Sequence, residues 1–274
     1  MILNDFWVKF YGVRGTYPVA CKQMLKYGGN TSCVYMKADR EDLIFDAGTG
    51  IIVLGKEFEK QRMDANIFIT HMHIDHIQGL TFFMPMFMEE KNTFKIYCKD
   101  TKNLNFKEHF YDFVKEPLFP FTPKDFKANM DFRSISQSEI IDVSETVKVH
   151  MIDNNHPDGG ISYKIICNNK SCCYITDNEI INENRDKFKS FMQNADVAII
   201  DATYNLEEYE TKKGWGHSTW ETIVKLAKEA NVKQLFLFHH EPTRTDKELD
   251  QIQRKVRRVF KNAYCAKEGV RVIV

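Results

Sequence analysis

Three histidines and an aspartate fall within six residues of one short stretch, THMHIDHIQG at positions 70–79. The chain has only nine histidines in all, so this is a marked concentration. Apolar segments lie on both sides, and they predict that a short buried strand delivers His71, His73, Asp75 and His76 to its carboxyl end. A polar quartet between apolar segments is costly unless its members are paired or bind a metal. We therefore interpret the stretch as a metal site rather than a solvated loop.

Polar residues also follow several other apolar segments that we predict to be strands. They are Asp46 in LIFDAG, His156 in VHMIDNNHP, Asp177 in CCYITD, Asp201 in AIIDATY, and His239 and His240 in LFLFHH. Loops at the ends of strands carry functional sites on rigid scaffolds, so we expect these positions to meet at one edge of the sheets. Side chains alternate along a strand, so only one of His239 and His240 can be a metal ligand.

The ligand types narrow the choice of metal. Imidazoles and carboxylates without an obligatory thiolate suit two divalent ions of zinc, manganese or iron. In our assignment His71, His73 and His156 hold one ion, Asp75, His76 and His239 hold a second, and Asp177 bridges them. Seven ligands leave coordination positions for water, which is typical of a reactive site rather than a structural one.

Composition limits the kind of protein this is. The chain of 274 residues has 38 basic and 38 acidic side chains, so its formal charge is zero. We therefore expect no strong nucleic-acid binding. No apolar run approaches membrane-spanning length, and the first residues lack the layout of a signal peptide. Seven cysteines without a CxxC pair indicate reduced, packed thiols and a cytoplasmic protein without a membrane partner.

The order of predicted elements indicates a single α/β domain over residues 1–274. Strands in both halves of the chain, with helices between them, suggest two facing sheets covered by helices. A Phe-rich segment at about 99–133, interrupted by three prolines, breaks this rhythm. One interpretation is a helix and loop packed in the core. The other is a lid or a subunit contact, and a subunit contact would imply a homodimer.

The motifs in this order resemble those of the metallo-β-lactamase superfamily, over nearly the whole chain. HMHIDH matches its HxHxDH motif, NNHP its next histidine, YITD its bridging aspartate and LFHH its final ligand, which favours His239 over His240. FYGVRGTYP, YGGNTSCV and GWGHSTWE are similar to its phosphodiesterase-like branch, related to tRNA 3′-processing nucleases. The resemblance implies an αββα sandwich of two mixed β-sheets flanked by helices, and it implies that His217 of GHST lies near the metals.

Other polar residues are assigned to supporting roles. We expect Asp46, Asp201 and His240 to lie behind the ligands, where carboxylates fix histidine tautomers. Arg14 and Asn30 are candidate substrate contacts, although a structural ion pair for Arg14 and a turn for Asn30 are equally good interpretations. Ser218 is expected to cap the next helix together with Glu221.

These residues predict a metal-dependent hydrolase whose substrate is a small-molecule or nucleotide phosphodiester. Two metals would lower the pKa of a bound water to about 7 and supply hydroxide at neutral pH. Asp75 would hold a metal and accept the proton, and His217 would stabilise charge or protonate the leaving oxygen. The alternative is a stand-alone diiron protein that binds dioxygen and acts as an oxygen or iron sensor in signalling.

Overall fold

Two seven-stranded β-sheets pack face to face in the computed structural model. The structure describes residues 6–59, 61–88, 91–100, 105–136 and 139–274. Helices cover the outer face of each sheet, so the order of layers is helix, sheet, sheet, helix. The predicted αββα sandwich of two mixed sheets is confirmed.

The first sheet has the order β14-β1-β2-β3-β4-β5-β6. Its strands are β1 (Phe6–Gly12), β2 (Cys33–Ala38), β3 (Glu41–Phe45), β4 (Asp64–Phe68), β5 (Thr93–Cys98), β6 (Asn129–Ser134) and β14 (Arg271–Ile273). Pairing is antiparallel from β14 to β3 and parallel from β3 to β6. The parallel strands β3 and β4 therefore deliver the residues that follow them to the same edge of the sheet.

The second sheet has the order β13-β12-β11-β10-β9-β8-β7. Its strands are β7 (Ile140–Asp142), β8 (Val147–Asp153), β9 (Ile161–Cys167), β10 (Lys170–Ile175), β11 (Val197–Asp201), β12 (Gln234–Phe238) and β13 (Ala263–Cys265). Strands β10 to β13 are parallel, and β7 to β10 are antiparallel. The sequence VAIID of β11 is buried at all five positions, as expected for a parallel strand covered on both faces.

Eight α-helices are present in the described residues. They are α1 (Gly50–Glu57), α2 (Ile74–Ile77), α3 (Pro85–Met88), α4 (Phe106–Phe113), α5 (Asn182–Phe191), α6 (Leu206–Tyr209), α7 (Trp220–Glu229) and α8 (Asp246–Val259). The prediction that Ser218 caps α7 is wrong. Thr219 accepts the hydrogen bond from the Thr222 amide, while the Ser218 hydroxyl donates to the carbonyl of Asn178. Ser218 and Thr219 are adjacent in sequence, so either could precede the helix. Thr219 is the cap because the Ser218 hydroxyl is already bonded to the loop at Asn178.

The hydrophobic core is divided into three layers. One cluster fills the space between the sheets, where the aromatic rings of Phe45, Phe68 and Tyr174 are fully buried. A second lies under α1 to α4 on the outer face of the first sheet. The third lies under α5, α7 and α8 on the second sheet.

The Phe-rich segment at about 99–133 is part of this packing, with residues 101–104 outside the described residues. Phe106 and Phe110 of α4 are buried in the second core cluster, and the segment ends in β6, which extends the first sheet. Leu118 and Phe121 remain exposed. Packing thus accounts for α4. A lid or subunit contact stays a prediction for the exposed turn that contains Leu118 and Phe121.

Two further observations concern the environment of the chain. Among the described residues, no helix combines the length and apolar character needed to cross a membrane. All seven cysteines are unpaired, and six of them are buried.

Candidate metal centre

Four strands end in segments that meet at one edge of the sandwich. His71 and His73 lie in the loop after β4, and Asp75 and His76 lie in α2, which follows directly. Loops after β8, β10 and β12 carry His156, Asp177 and His239. The structure brings all seven of these residues together in two groups.

The first group consists of His71, His73, His156 and Asp177. One ligand atom from each lies within 4.8 Å of those from the other three. The rings of His71 and His73 are 4.4 Å apart, and each is 4.8 Å from the ring of His156. Three imidazoles and a carboxylate at this spacing match the donor set of a zinc or manganese ion.

The second group consists of Asp75, His76 and His239. Nε2 of His76 lies 3.2 Å from Asp75 Oδ2, and Nε2 of His239 lies 3.3 Å from the same oxygen. All three side chains are buried. This group therefore presents two imidazole nitrogens and one carboxylate oxygen to a common point.

Asp177 lies between the two groups. Its Oδ1 is 3.8 Å from His71 Nε2, whereas its Oδ2 is 3.1 Å from His76 Nε2 and 3.3 Å from His239 Nε2. The two oxygens of one carboxylate thus face different groups, which is the arrangement that a bridging ligand requires.

Several nitrogens in the site lack partners within the described protein. Nε2 of His71, Nε2 of His76 and Nδ1 of His156 are buried and make no hydrogen bond. Buried polar atoms are normally satisfied, and an orphaned one costs free energy. Unpartnered imidazole nitrogens aimed at carboxylates fit a pair of cations, so the residues present are suited to divalent metals.

Asp46 supports this loop from behind. Its carboxylate accepts hydrogen bonds from the Thr70 amide (2.8 Å), from Nδ1–H of His76 (2.8 Å) and from the Tyr174 hydroxyl (2.8 Å). The bond to His76 leaves Nε2 of that ring as the free nitrogen that faces Asp75 and Asp177. Because Tyr174 belongs to the second sheet, Asp46 also links the two sheets beneath the site.

His239 and His240 have different surroundings. The ring of His239 faces the carboxylates, and its Nδ1 lies 3.1 Å from the Thr203 hydroxyl. The ring of His240 points elsewhere, and its Nε2–H donates to the carbonyl of Ala266 at 2.9 Å. Burial lowers the pKa of His240 to about 3, so this ring stays neutral. The structure thus places His239 among the ligand group and gives His240 no contact with that group's carboxylates.

His217 lies at the side of both groups. Its Nδ1 donates to Asp201 Oδ2 at 2.7 Å, and its ring stacks on His239 with 5.0 Å between centroids. Burial alone would lower its pKa, but the charge and hydrogen bond of Asp201 raise the pKa to about 9. His217, Asp177 and His239 also satisfy the spacing of a ligand group. His217 is therefore placed either to donate a proton or to contact a metal.

The carboxylates of the site are held in their ionised form. Burial alone would raise the pKa of Asp177, but the imidazoles of His239 and His76 hold it well below its usual range. The pKa of Asp75 is lowered in the same way against burial, chiefly by His76. Burial also lowers the pKa of His71 and of His156, so both imidazoles are neutral, as a metal ligand must be.

Three residues that the sequence analysis did not name contribute to the site. Asp158 Oδ2 lies 2.9 Å from Nε2 of His73 and orients that exposed ring. Glu179 is buried, and its carboxylate accepts from the amides of Gly214 and Gly216. Gly216 lies so close to His156 that a Cβ would stand 2.2 Å from its Cδ2. The only signal for these three residues in the sequence is that each lies within two positions of His156, Asp177 or His217.

Both candidate substrate contacts are engaged within the protein. Arg14 is fully buried, and its guanidinium donates to the carbonyls of Gly28 (2.9 Å) and Arg244 (2.6 Å). The side chain of Asn30 is occupied by Glu268 and Thr49. The anion-binding hypothesis for Arg14 is therefore corrected: the residue ties the loop after β1 to the loop before α8.

A cavity of about 570 Å³ opens beside the first group. His71 and His73 form one wall, and Lys99, Pro157 and Asp158 lie on others. A space of this size accommodates a drug-sized or nucleotide-sized molecule next to the proposed metals.

Comparisons with known proteins identify the family and the fold. A model described as the beta-lactamase superfamily domain matches residues 42–240. A protein named ribonuclease Z from Picrophilus torridus is 24% identical, with 97% of this chain and 94% of the relative covered. Two solved structures have the same fold: the metallo-beta-lactamase fold protein YhfI from Bacillus subtilis (18% identical, TM-score 0.73, 97% and 98% covered) and a diphosphatase from the PhnP family (16% identical, TM-score 0.74, 98% of each chain covered).

Proposed function

We propose that this chain, which belongs to the metallo-β-lactamase superfamily, hydrolyses phosphodiesters at a centre of two divalent metal ions. The observation that carries the proposal is the position of Asp177, whose two oxygens face two separate groups of histidines. A shared carboxylate with an imidazole group on each side is the arrangement used to hold two metals close together.

The proposed ligands are the seven residues described above. His71, His73 and His156 would hold one ion, Asp75, His76 and His239 the other, and Asp177 both. When bound, the two ions would lower the pKa of a water and neutralise charge on the phosphoryl oxygens. The remaining chemistry falls to groups of the chain itself.

His217 is the proposed proton donor to the leaving oxygen. Its ring is anchored through Nδ1 to Asp201, so Nε2 is the nitrogen left for substrate. Its side chain is 12% exposed, which allows contact with a ligand in the site. General acid catalysis of this kind contributes about 10²–10⁴ in rate.

Asp75 is proposed to hold a metal rather than to carry protons. Its Oδ2 accepts from the Thr16 amide at 2.8 Å and lies beside the imidazoles of His76 and His239. A carboxylate in such surroundings is a weak base, which suits a permanent ligand better than a proton acceptor.

The class of substrate is suggested by the relatives. The similar proteins include one named ribonuclease Z and one named a diphosphatase, and both names describe cleavage at phosphorus. We therefore propose a phosphodiester rather than a β-lactam, thioester or lactone as the substrate.

The test is reconstitution of metal-free protein with zinc, manganese or ferrous iron, followed by assay of methyl p-nitrophenyl phosphate. Multiple turnovers with zinc or manganese are expected, together with two ions per chain. If no metal supports turnover and only the iron form develops a visible absorption band in air, the hydrolase proposal is wrong. That result would favour the dioxygen-binding alternative.

A further inference from the structure

An exposed tryptophan lies on the loop that leads into His217. Trp215 is 58% exposed, although it is only two residues from His217 in sequence. Two residues of chain span at most about 7 Å, so the backbone of Trp215 lies within that distance of the backbone of His217. Gly216, between the two, packs directly against His156. An exposed aromatic ring beside a polar site offers a face on which a nucleobase can stack.

The exposure of Trp215 is fixed by the structure of its loop. The flanking glycines have left-handed backbone, with φ of +83° at Gly214 and +88° at Gly216. The buried carboxylate of Glu179 accepts from both of their amides, at 2.9 Å and 3.2 Å. The amide of Trp215 itself donates to the carbonyl of Lys212 at 3.2 Å and closes a turn. The ring is therefore presented outwards by a braced loop rather than by a loose one.

A lysine lies beside this ring. Nζ of Lys212 is 4.3 Å from the centroid of Tyr204 and 5.9 Å from that of Trp215. The second distance is at the limit of a cation–π contact, so most of the indole remains open to a ligand. Tyr204 in turn meets His217 edge-on at 5.7 Å, which connects Lys212 to the metal centre through one ring.

The charges around Lys212 leave its ammonium available. Lys213 pairs with Glu210 at 2.7 Å, and Arg244 pairs with Glu208 at 2.6 Å. Within the part of the chain that the structure describes, no carboxylate lies at ion-pair distance from Lys212. The charge of Lys212 helps to lower the pKa of Glu208, but that carboxylate is paired with Arg244, so the ammonium is still suited to binding an anion.

We propose that Trp215 and Lys212 bind the nucleotide part of the substrate, with a nucleobase stacked on the indole and a phosphate oxygen on the ammonium. This rests on the proposed phosphodiesterase function and narrows its substrate class to diesters that carry a nucleoside. Base–aromatic stacking tolerates every base, so the site recognises a nucleobase without selecting its identity. Trp215 is a binding residue and takes no part in the proton transfer assigned to His217.

The experiment measures binding to the metal-loaded protein by calorimetry. The probes are adenosine 5′-monophosphate and ribose 5-phosphate, which carry the same phosphate and differ in the base. Wild-type protein should bind the nucleotide roughly 10- to 100-fold more tightly, since stacking of one base supplies that range. Trp215→Ala should reduce the preference to about twofold, and Trp215→Phe should retain most of it. Lys212→Gln should weaken both probes by a similar factor.

A matched control and a separate assay make the result decisive. Leu206→Ala removes another exposed apolar side chain, 50% exposed on α6, and should leave the preference unchanged. Equal affinity of the two probes in wild-type protein, or a preference that survives in Trp215→Ala, would overturn the proposal. Turnover of methyl p-nitrophenyl phosphate, which has no base, tests the hydrolase proposal alone. Turnover without base preference therefore rejects only the nucleotide site, and base preference without turnover rejects only the hydrolase.

Discussion

At the scale of single residues, the two oxygens of Asp177 face different groups of histidines, 3.8 Å from His71 and 3.1 Å from His76. We expect Asp177→Ala to reduce the metal content from about two ions per chain to one or none, because each group loses its shared ligand. Elemental analysis of purified protein measures this directly. Asp64→Ala is the control, since Asp64 begins β4 at the end of the strand opposite to the site. Two ions retained in the Asp177 variant would contradict the bridging role.

His217 is expected to behave differently from the ligands. His217→Ala should keep both metals and lose about 10²- to 10⁴-fold in kcat on a diester with a poor leaving group, where protonation matters most. Loss of an ion instead would show that His217 is a ligand, in the third group of ligand atoms described above. His150→Ala serves as a control, because His150 lies on β8 and its backbone pairs with Ile140 at the sheet's edge.

Sequence and structure differ most in residues whose role depends on distant partners. His71, His73 and Asp75 were predictable because close spacing after an apolar strand brings them together whatever the rest of the fold. The role of Arg14 was not predictable, since an arginine in GVRGT is equally compatible with an anion site. Only the fold shows its guanidinium buried against backbone carbonyls. Glu179 was missed for the same reason, because its partners lie 35 and 37 residues further along the chain.

At the scale of elements, the loop before α7 is shaped by two glycines with similar backbone and different surroundings. A methyl group at Gly216 would stand 2.2 Å from Cδ2 of His156, whereas at Gly214 it would meet nothing within 4 Å. Both substitutions carry the cost of a left-handed backbone, roughly 1–2 kcal/mol. We expect Gly216→Ala also to displace His156 and weaken metal binding at least tenfold, which a competition titration with a coloured chelator measures. Gly214→Ala should show only the loss of stability, and equal metal affinity in the two variants would contradict the steric argument.

The prediction of elements from sequence was accurate where apolar runs are long and uninterrupted. The strands that end at or just before Asp177, Asp201 and His239 fall where the pattern placed them. Short edge strands such as β7 and β13, each of three residues, carry too little pattern to be recognised. Their positions are decided by pairing with neighbours distant in sequence rather than by local preference.

At the scale of the whole molecule, metal binding is expected to stabilise the sandwich. The proposed ligands come from loops of both sheets, so bound ions would link the sheets at one edge in addition to the contact between Asp46 and Tyr174. The Tm of the protein with metal far above its Kd should exceed the Tm of the chelator-treated protein by about 10 °C. Adding metal back to the treated protein should restore the higher Tm. Calorimetry measures this shift, and Asp177→Ala should show little or none of it. A Tm independent of metal in wild-type protein would contradict the coupling.

The strand β14 comes last in the chain but pairs with the first, Trp7 opposite Ile273. During synthesis, β1 must therefore wait for its outer neighbour until all strands of the second sheet have been made. At ordinary rates of translation this delay is on the order of tens of seconds. Throughout that interval one side of β1 offers unpaired amides and carbonyls to any other extended chain nearby. The nascent protein thus passes through a period in which the outer side of β1 is open, whereas in the finished molecule β14 covers it at Trp7, Val8 and Lys9.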